Sequence, residues 1–354
     1  MTAEIKVLVI DDSAYNRQTI TTLLEAAPGI RVVARAGDGD EGLKQVFAHA
    51  PDVITLDLEM PRMDGFTFLR ILMTRRPTPV LVISSYARKD NVFKALELGA
   101  LDFIAKPTQK ISPELAGIEA ELVAKVRLVA QLRMVSLAER VRERGPATPA
   151  PPADPVPAPA PLRRLVVIGA STGGPPALGH VLGALDATLP MAVLVVQHMP
   201  AKFTAAFAER LDRASALEVR EARAGDLVRP GLALVAPGAE IMTVRRTPDG
   251  LRIDLAPPGA EDRFVPSIDR LFESAASAAG ADVVAVVLTG MVGEGGRGVR
   301  AVVEHGGVAI AESADTAVMF GMPEEAIRTG LVSEVVPLAA VPAAIAKRVR
   351  GQKL

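Results

Sequence analysis

Two sets of side chains in this sequence have the types and spacing to do chemistry. The first is acidic: Asp11 and Asp12 end one apolar run, Asp57 a second, Ser84 a third, and Lys106 closes a fourth. Carboxylates gathered in one place repel, and a hard cation such as Mg²⁺, which prefers oxygen ligands, relieves that repulsion. A carboxylate screened in this way can attack a phosphoryl group in line while a Lys holds the transferred oxygens. Any one of these Asp residues could merely cap the following helix, as Asp12-Ser13 would. The complete set, in this order, favours phosphoryl transfer.

The second set is a hydroxyl with an imidazole. Gly169-Ala170-Ser171-Thr172-Gly173 follows an apolar run and fits G-x-S-x-G, in which a sharp strand-to-helix turn lifts a serine to the edge of a sheet. Glycine-rich turns after strands also bind phosphates, or nothing. Here no Walker lysine follows, and Gly174-Pro175-Pro176 comes next. A serine nucleophile needs a base, and the four histidines are His49, His180, His198 and His305. His198 ends the run MAVLVVQH at the sheet edge expected for Ser171, so it is the favoured base. Glu294, in LTGMVGEGG at 288–296, lies beyond a further strand end. It either orients the imidazole or faces water from a glycine-rich turn.

The elements that must position these groups alternate. Runs at 6–10, 52–57, 80–84 and 101–106 in the first half, and at 164–170, 191–198, 231–238 and 281–290 in the second, are separated by helical patterns. Alternation of this kind predicts α/β folds with parallel sheets covered on both faces. In such sheets ligands sit outside the carboxyl ends of the strands. An amphipathic closing helix is expected over 118–141. Residues 146–161 hold eight Pro and five Ala, which form neither helix nor ladder and favour an extended spacer of up to roughly 50 Å.

Composition narrows the function. The chain has 354 residues, enough for about two domains, with 40 basic and 41 acidic side chains. That balance offers no field for nucleic acid, and 10 Phe, 2 Tyr and no Trp make poor stacking platforms. The absence of Cys excludes disulfides and thiolate chemistry. No apolar stretch reaches about 18 residues and the N-terminus does not resemble a signal peptide, so a soluble cytoplasmic protein without membrane insertion is expected.

VLVIDDSAYNR, TLDLEMPRMDG, VISS and FIAKP resemble the receiver domain of two-component response regulators. The resemblance implies a flavodoxin-like five-stranded parallel sheet and phosphorylation of Asp57 by a histidine kinase. Asp11, Asp12, Asp57 and a backbone carbonyl near Glu59 would hold Mg²⁺. Ser84 would be the switch hydroxyl, Lys106 the phosphate-facing cation and Phe103 the rotameric aromatic. IGASTGG, VVQHMP, VPSID, VVLTGM and MFGMPEEAI resemble the catalytic domain of the chemotaxis protein-glutamate methylesterases, the CheB family. This implies a doubly wound α/β domain that hydrolyses glutamate methyl esters on chemoreceptors, releasing methanol, and often deamidates glutamines. The esterase needs no cofactor. Ser171 would be nucleophile, His198 base and Glu294 the orienting acid. Met291 and a backbone N–H near Thr172 would be oxyanion donors. The implied domains are a receiver at 1–128, a closing helix and linker at 129–161, and an esterase at 162–354.

The sequence leaves the family pattern at Glu294, where Asp is usual, at Val292, where Gly is usual, and at Val265, where Arg usually precedes Pro-Ser. The extra methylene of Glu294 requires a shifted loop. A rival function is therefore a phosphorylation-switched binding protein with a degenerate esterase domain. A DNA-binding regulator is disfavoured by the neutral charge and the α/β second half.

Overall fold

A computed structural model describes residues 4–84, 89–106, 114–130, 161–291 and 293–351. These fall into two compact units divided between residues 145 and 146. The first runs β1 (Ile5–Ile10), α1 (Ala14–Glu25), β2 (Ile30–Ala36), α2 (Gly39–His49), β3 (Val53–Leu56), α3 (Gly65–Arg75), β4 (Val80–Ser84), α4 (Lys89–Glu97), β5 (Asp102–Ala105) and α5 (Glu114–Val129). Its five strands form a parallel sheet in the order β2-β1-β3-β4-β5. The inner strands are buried on both faces, which is why they read as unbroken apolar runs. The edge strand β2, IRVVARA, carries two exposed Arg among seven residues and is only partly buried, so it reads less plainly as an apolar run.

Local chemistry starts the helices of this unit. Ser13, Asp38 and Asp64 stand in extended backbone, and each side chain accepts a hydrogen bond from an amide of the first turn. The closing helix corrects the expectation: α5 begins at Glu114, earlier than 118, and ends at Val129. Leu122, Val126 and Val129 form its buried stripe. The remainder of the expected helix and the Pro/Ala segment lie outside the described residues.

The second unit begins β6 (Arg164–Ala170), α6 (Gly174–Gly183), β7 (Met191–Gln197), α7 (Ala201–Arg213), β8 (Glu218–Glu221), β9 (Leu227–Val228) and β10 (Leu232–Val235). It continues with β11 (Ile241–Thr247), β12 (Gly250–Ala256), α8 (Ile268–Ala279), β13 (Val283–Val287), α9 (Gly296–Glu304), β14 (Val308–Glu312), α10 (Gly321–Arg328), β15 (Glu334–Val336) and α11 (Val341–Val349). Seven strands form a parallel sheet, β15-β14-β13-β6-β7-β10-β8. A small antiparallel sheet, β11-β12-β9, stands apart from it and was not expected. Its hairpin packs on α8, where Val244 N donates to Ser274 Oγ. A Cβ on Gly169 would lie 2.5 Å from Ile268 Cγ2, so this glycine lets the start of α8 press against β6. Among the described residues no helix is long and apolar enough to cross a membrane.

In each parallel sheet the strand order reverses beside the first strand, between β1 and β3 and between β6 and β13. Loops leave such a switch point in opposite directions and open a crevice at the carboxyl ends. The acidic set and the serine set each lie at one of these crevices.

Candidate active sites

In the first unit, Asp11 and Asp12 follow β1, Asp57 follows β3, Ser84 ends β4 and Lys106 follows β5. The structure brings the carboxylates together: ligand oxygens of Asp11, Asp12 and Asp57 lie within 4.8 Å of one another. Lys106 Nζ lies 2.6 Å from Asp57 Oδ2 and 2.8 Å from Asp11 Oδ2. Two of the three carboxylates thus share one ammonium. Burial, above all, pushes the Asp57 carboxyl above its ordinary value, and the Asp11 charge adds to this against the opposing hydrogen bond and charge of Lys106. Burial also works against the charge on Lys106, but the hydrogen bonds and charges of Asp11 and Asp57 outweigh it and raise that group. Asp11 Oδ2 is buried, with the Lys106 ammonium as its ion-pair partner. This donor set, all oxygen and short of positive charge, fits a hard divalent cation. Glu59 N donates to Asp57 Oδ1. Phe103 is buried, with Lys125 Nζ 5.6 Å from its ring centroid.

In the second unit, Ser171 follows β6, His198 follows β7 and Glu294 lies in the loop between β13 and α9. His198 Nδ1 lies 3.3 Å from Ser171 Oγ, and His198 Nε2 lies 2.9 Å from Glu294 Oε2. The ring nitrogens are used in the opposite sense to a chymotrypsin-type triad, where Nε2 faces the serine. The Glu294 carboxylate thus reaches the imidazole despite its extra methylene. Val292 lies outside the described residues. His49 ends α2 in the other unit, His180 lies on α6 and His305 caps α9.

Glycine sets the approach of the loops. Gly173 has φ +78°, and a Cβ on it would meet Val318 at 2.6 Å. A Cβ on Gly290 would fall 2.2 Å from Met322 Sδ and 2.9 Å from Ser171 Cβ, so only glycine brings the segment bearing Met291 this near the serine. The amide of Ser171 is taken by Thr289 O at 3.0 Å. Thr289 Oγ1 donates to Thr172 O and accepts from Met319 N, tying three loops together. Thr289 N in turn donates to the fully buried Glu312.

Several residues of the site escaped the sequence reading. Gln197 Nε2 donates to the carbonyls of both Ser171 and His198, at 2.9 and 3.0 Å. Phe264 stacks on the His198 ring, 5.3 Å between centroids and 5° from parallel. Ser267 Oγ donates to Glu294 Oε1 and Ile268 N donates to Glu294 Oε2. Asp269 accepts from Gly295 N at 3.0 Å and Gly298 N at 2.7 Å. Gln197, Ser267 and Asp269 lie within the motifs VVQHMP and VPSID, and Ser267-Ile268-Asp269 before an apolar run is the pattern of a helix start, but neither signal assigns them a role.

Comparison with known proteins covers both units of the chain. The family model described as CheB methylesterase matches residues 166–345, and that of the response regulator receiver domain matches residues 7–113. A protein-glutamate methylesterase/protein-glutamine glutaminase of Geobacter sulfurreducens is 48% identical over 351 residues, covering 95% of this chain and 95% of its own. One of Myxococcus xanthus is 49% identical over 349 residues, covering 99% of this chain and 98% of its own. The crystal structure of the Thermotoga maritima CheB methylesterase catalytic domain superposes with a TM-score of 0.51 at 36% identity, covering 52% of this chain and 98% of that one.

Proposed function

The chain belongs to the CheB methylesterase family, and on that premise we propose that its two sites form one phosphorylation-gated serine hydrolase. It hydrolyses glutamate methyl esters on chemoreceptors, releasing methanol, and deamidates glutamines, as a response regulator in chemotaxis signalling. The observation that carries the residue roles is the continuous chain from Ser171 through His198 to Glu294.

Ser171 Oγ attacks the ester carbonyl carbon while His198 Nδ1 takes its proton. Glu294 holds the Nε2–H, fixes the tautomer and stabilises the imidazolium. The tetrahedral oxyanion is received by the amide of Met291 and a backbone N–H near Thr172. Collapse breaks the bond to the methoxy oxygen, His198 returns the proton, and methanol leaves. Water, activated by the same imidazole, then releases the glutamate carboxylate. A glutamine side chain follows the same path with ammonia as the leaving group.

In the receiver, residues 1–128, Asp57 accepts the phosphoryl group from a histidine kinase. Asp11, Asp12, Asp57 and the carbonyl near Glu59 would hold Mg²⁺, which when bound neutralises the charge of the phosphoryl oxygens. Lys106 contacts the transferred group, and Ser84 and Phe103 carry its effect. Residues 129–161 link the receiver to an esterase at 162–354 that needs no cofactor. A cytoplasmic location follows from a kinase donor and from a substrate on the inner part of a receptor. The rival reading, a degenerate esterase, loses the motive that Glu294 gave it, because that carboxylate reaches His198.

Methanol release from methylated receptor, by the full chain and by Ser171→Ala, tests this. Release by the wild type and none by the variant is expected. Equal release from both would overturn the role of Ser171, and none from the wild type would overturn the activity.

A further inference from the structure

Glu294 is only 6% exposed, and an ionised carboxylate in such a place must be compensated by hydrogen bonds. Its oxygens are not served alike. Oε2 faces both His198 Nε2 and Ile268 N, each at 2.9 Å. Oε1 receives the hydroxyl of Ser267. Rotation about the last torsion of a Glu side chain is soft and roughly two-fold. A carboxylate held through Oε2 alone could swing out of the plane that serves the imidazole. A donor on the second oxygen removes that freedom.

The hydroxyl that does this is itself fixed. Ser267 is 3% exposed and caps α8, its Oγ accepting from Arg270 N at 3.3 Å. With its oxygen turned to that amide, its single hydrogen is left for Glu294. We propose that Ser267 is a positioning residue for ester hydrolysis, a fourth member of the chain Ser171–His198–Glu294, acting by holding the Glu294 carboxylate in the plane of the imidazole. The proposal rests on the roles given to those three residues above. It also accounts for a Glu at this position: the longer side chain brings one more torsion, and Ser267 immobilises it.

A helix cap alone would also explain a buried Ser, so the test must separate the two roles. Gly at an N-cap position costs only a few tenths of a kcal/mol relative to Ser, whereas it removes the hydroxyl donor completely. In the full chain, assayed below its melting transition, Ser267→Gly should stay folded with a Tm lowered by the loss of the donor to Glu294, and lower kcat for methanol release by about 10- to 100-fold with KM unchanged. Ser267→Thr, which keeps the hydroxyl, should restore most of kcat. The downfield imidazole N–H resonance of His198 should shift in Ser267→Gly and return in Ser267→Thr. Wild-type kcat in Ser267→Gly, with Ser171→Ala inactive, would overturn the proposal while leaving the triad. A folded Ser267→Thr as slow as Ser267→Gly would overturn it too. Full activity in Ser171→Ala would instead overturn the triad itself.

Discussion

Asp269 and Glu294 each sit on the N-terminus of the other's helix. Asp269, in the first turn of α8, accepts the amides of Gly295 and Gly298 at the start of α9. Glu294, just before α9, accepts Ile268 N and Ser267 Oγ at the start of α8. Two buried carboxylates thus lie side by side, and the cation near them, Arg297, is 3.8 Å from Asp269 and mostly exposed. Helix starts, with their unpaired amides and positive dipole ends, supply the compensation.

This exchange has a pH signature. Burial, foremost, and then the Glu294 charge raise the Asp269 carboxyl above its ordinary 3.8, against the amides of Gly298 and Gly295 and the charge of Arg297. The folded protein therefore binds more protons than the unfolded chain between that value and the raised one. Its stability falls as pH rises through this window and levels off above it. Asp269→Asn keeps an acceptor for the amides and loses the charge. The Tm of the variant relative to wild type should climb with pH through the window; a constant difference at every pH would disprove the assignment.

Glu294→Gln should lower methanol release by about 10⁴-fold, because an amide cannot hold the tautomer or offset the imidazolium. Glu294→Asp should keep part of the activity, its carboxylate drawn back from Ser267 and Ile268. Steady-state rates on methylated receptor check both, and a Gln variant at the wild-type rate would show that another group serves His198.

Gly290→Ala places a methyl group against Met322 Sδ and Ser171 Cβ, at 2.2 and 2.9 Å. The crowding should cost about 1–3 kcal/mol of stability and displace the serine. A melting curve and the methanol assay on one preparation would show both effects together.

Asp57→Asn should abolish labelling by a small phosphodonor, and chelation of divalent cations should abolish it in the wild type. The fold should survive, since Asn is of equal size and removes a carboxylate that burial disfavours. Equal labelling of Asp57→Asn would move the acceptor elsewhere.

Residues 162–354 alone should release methanol faster than the unphosphorylated full chain, if phosphorylation acts by lifting a restraint. Equal or slower release by the folded fragment would show that the receiver activates by another route.

The residues proposed to react were legible in the sequence because each is tied to a local signal. Asp57 and Ser171 follow apolar strand runs, and His198 ends one. The residues that hold them were not. Gln197 reaches Ser171 across 26 positions, and Asp269 reaches Gly295 and Gly298 across 26 and 29. Such contacts exist only once strands and helices have packed, and no periodicity announces them. The fold followed the same division. Fully buried strands such as β13, VVAVV, declare themselves. The edge strand β2 and the hairpin β11–β12, with its exposed Arg245 and Arg246, mix polar and apolar residues and pass for loop.

Amides in the first turn of a helix ordinarily lack an intrahelical partner and exchange quickly with solvent. Those of Ile268, Gly295 and Gly298 are instead taken by carboxylates from the neighbouring helix. Neither helix can fray at its start without stripping a buried charge from the other, so the two first turns open as one cooperative unit. That unit contains the acid that serves His198. Deuterium uptake at the three amides should therefore rise together, and ester hydrolysis should fail wherever it does.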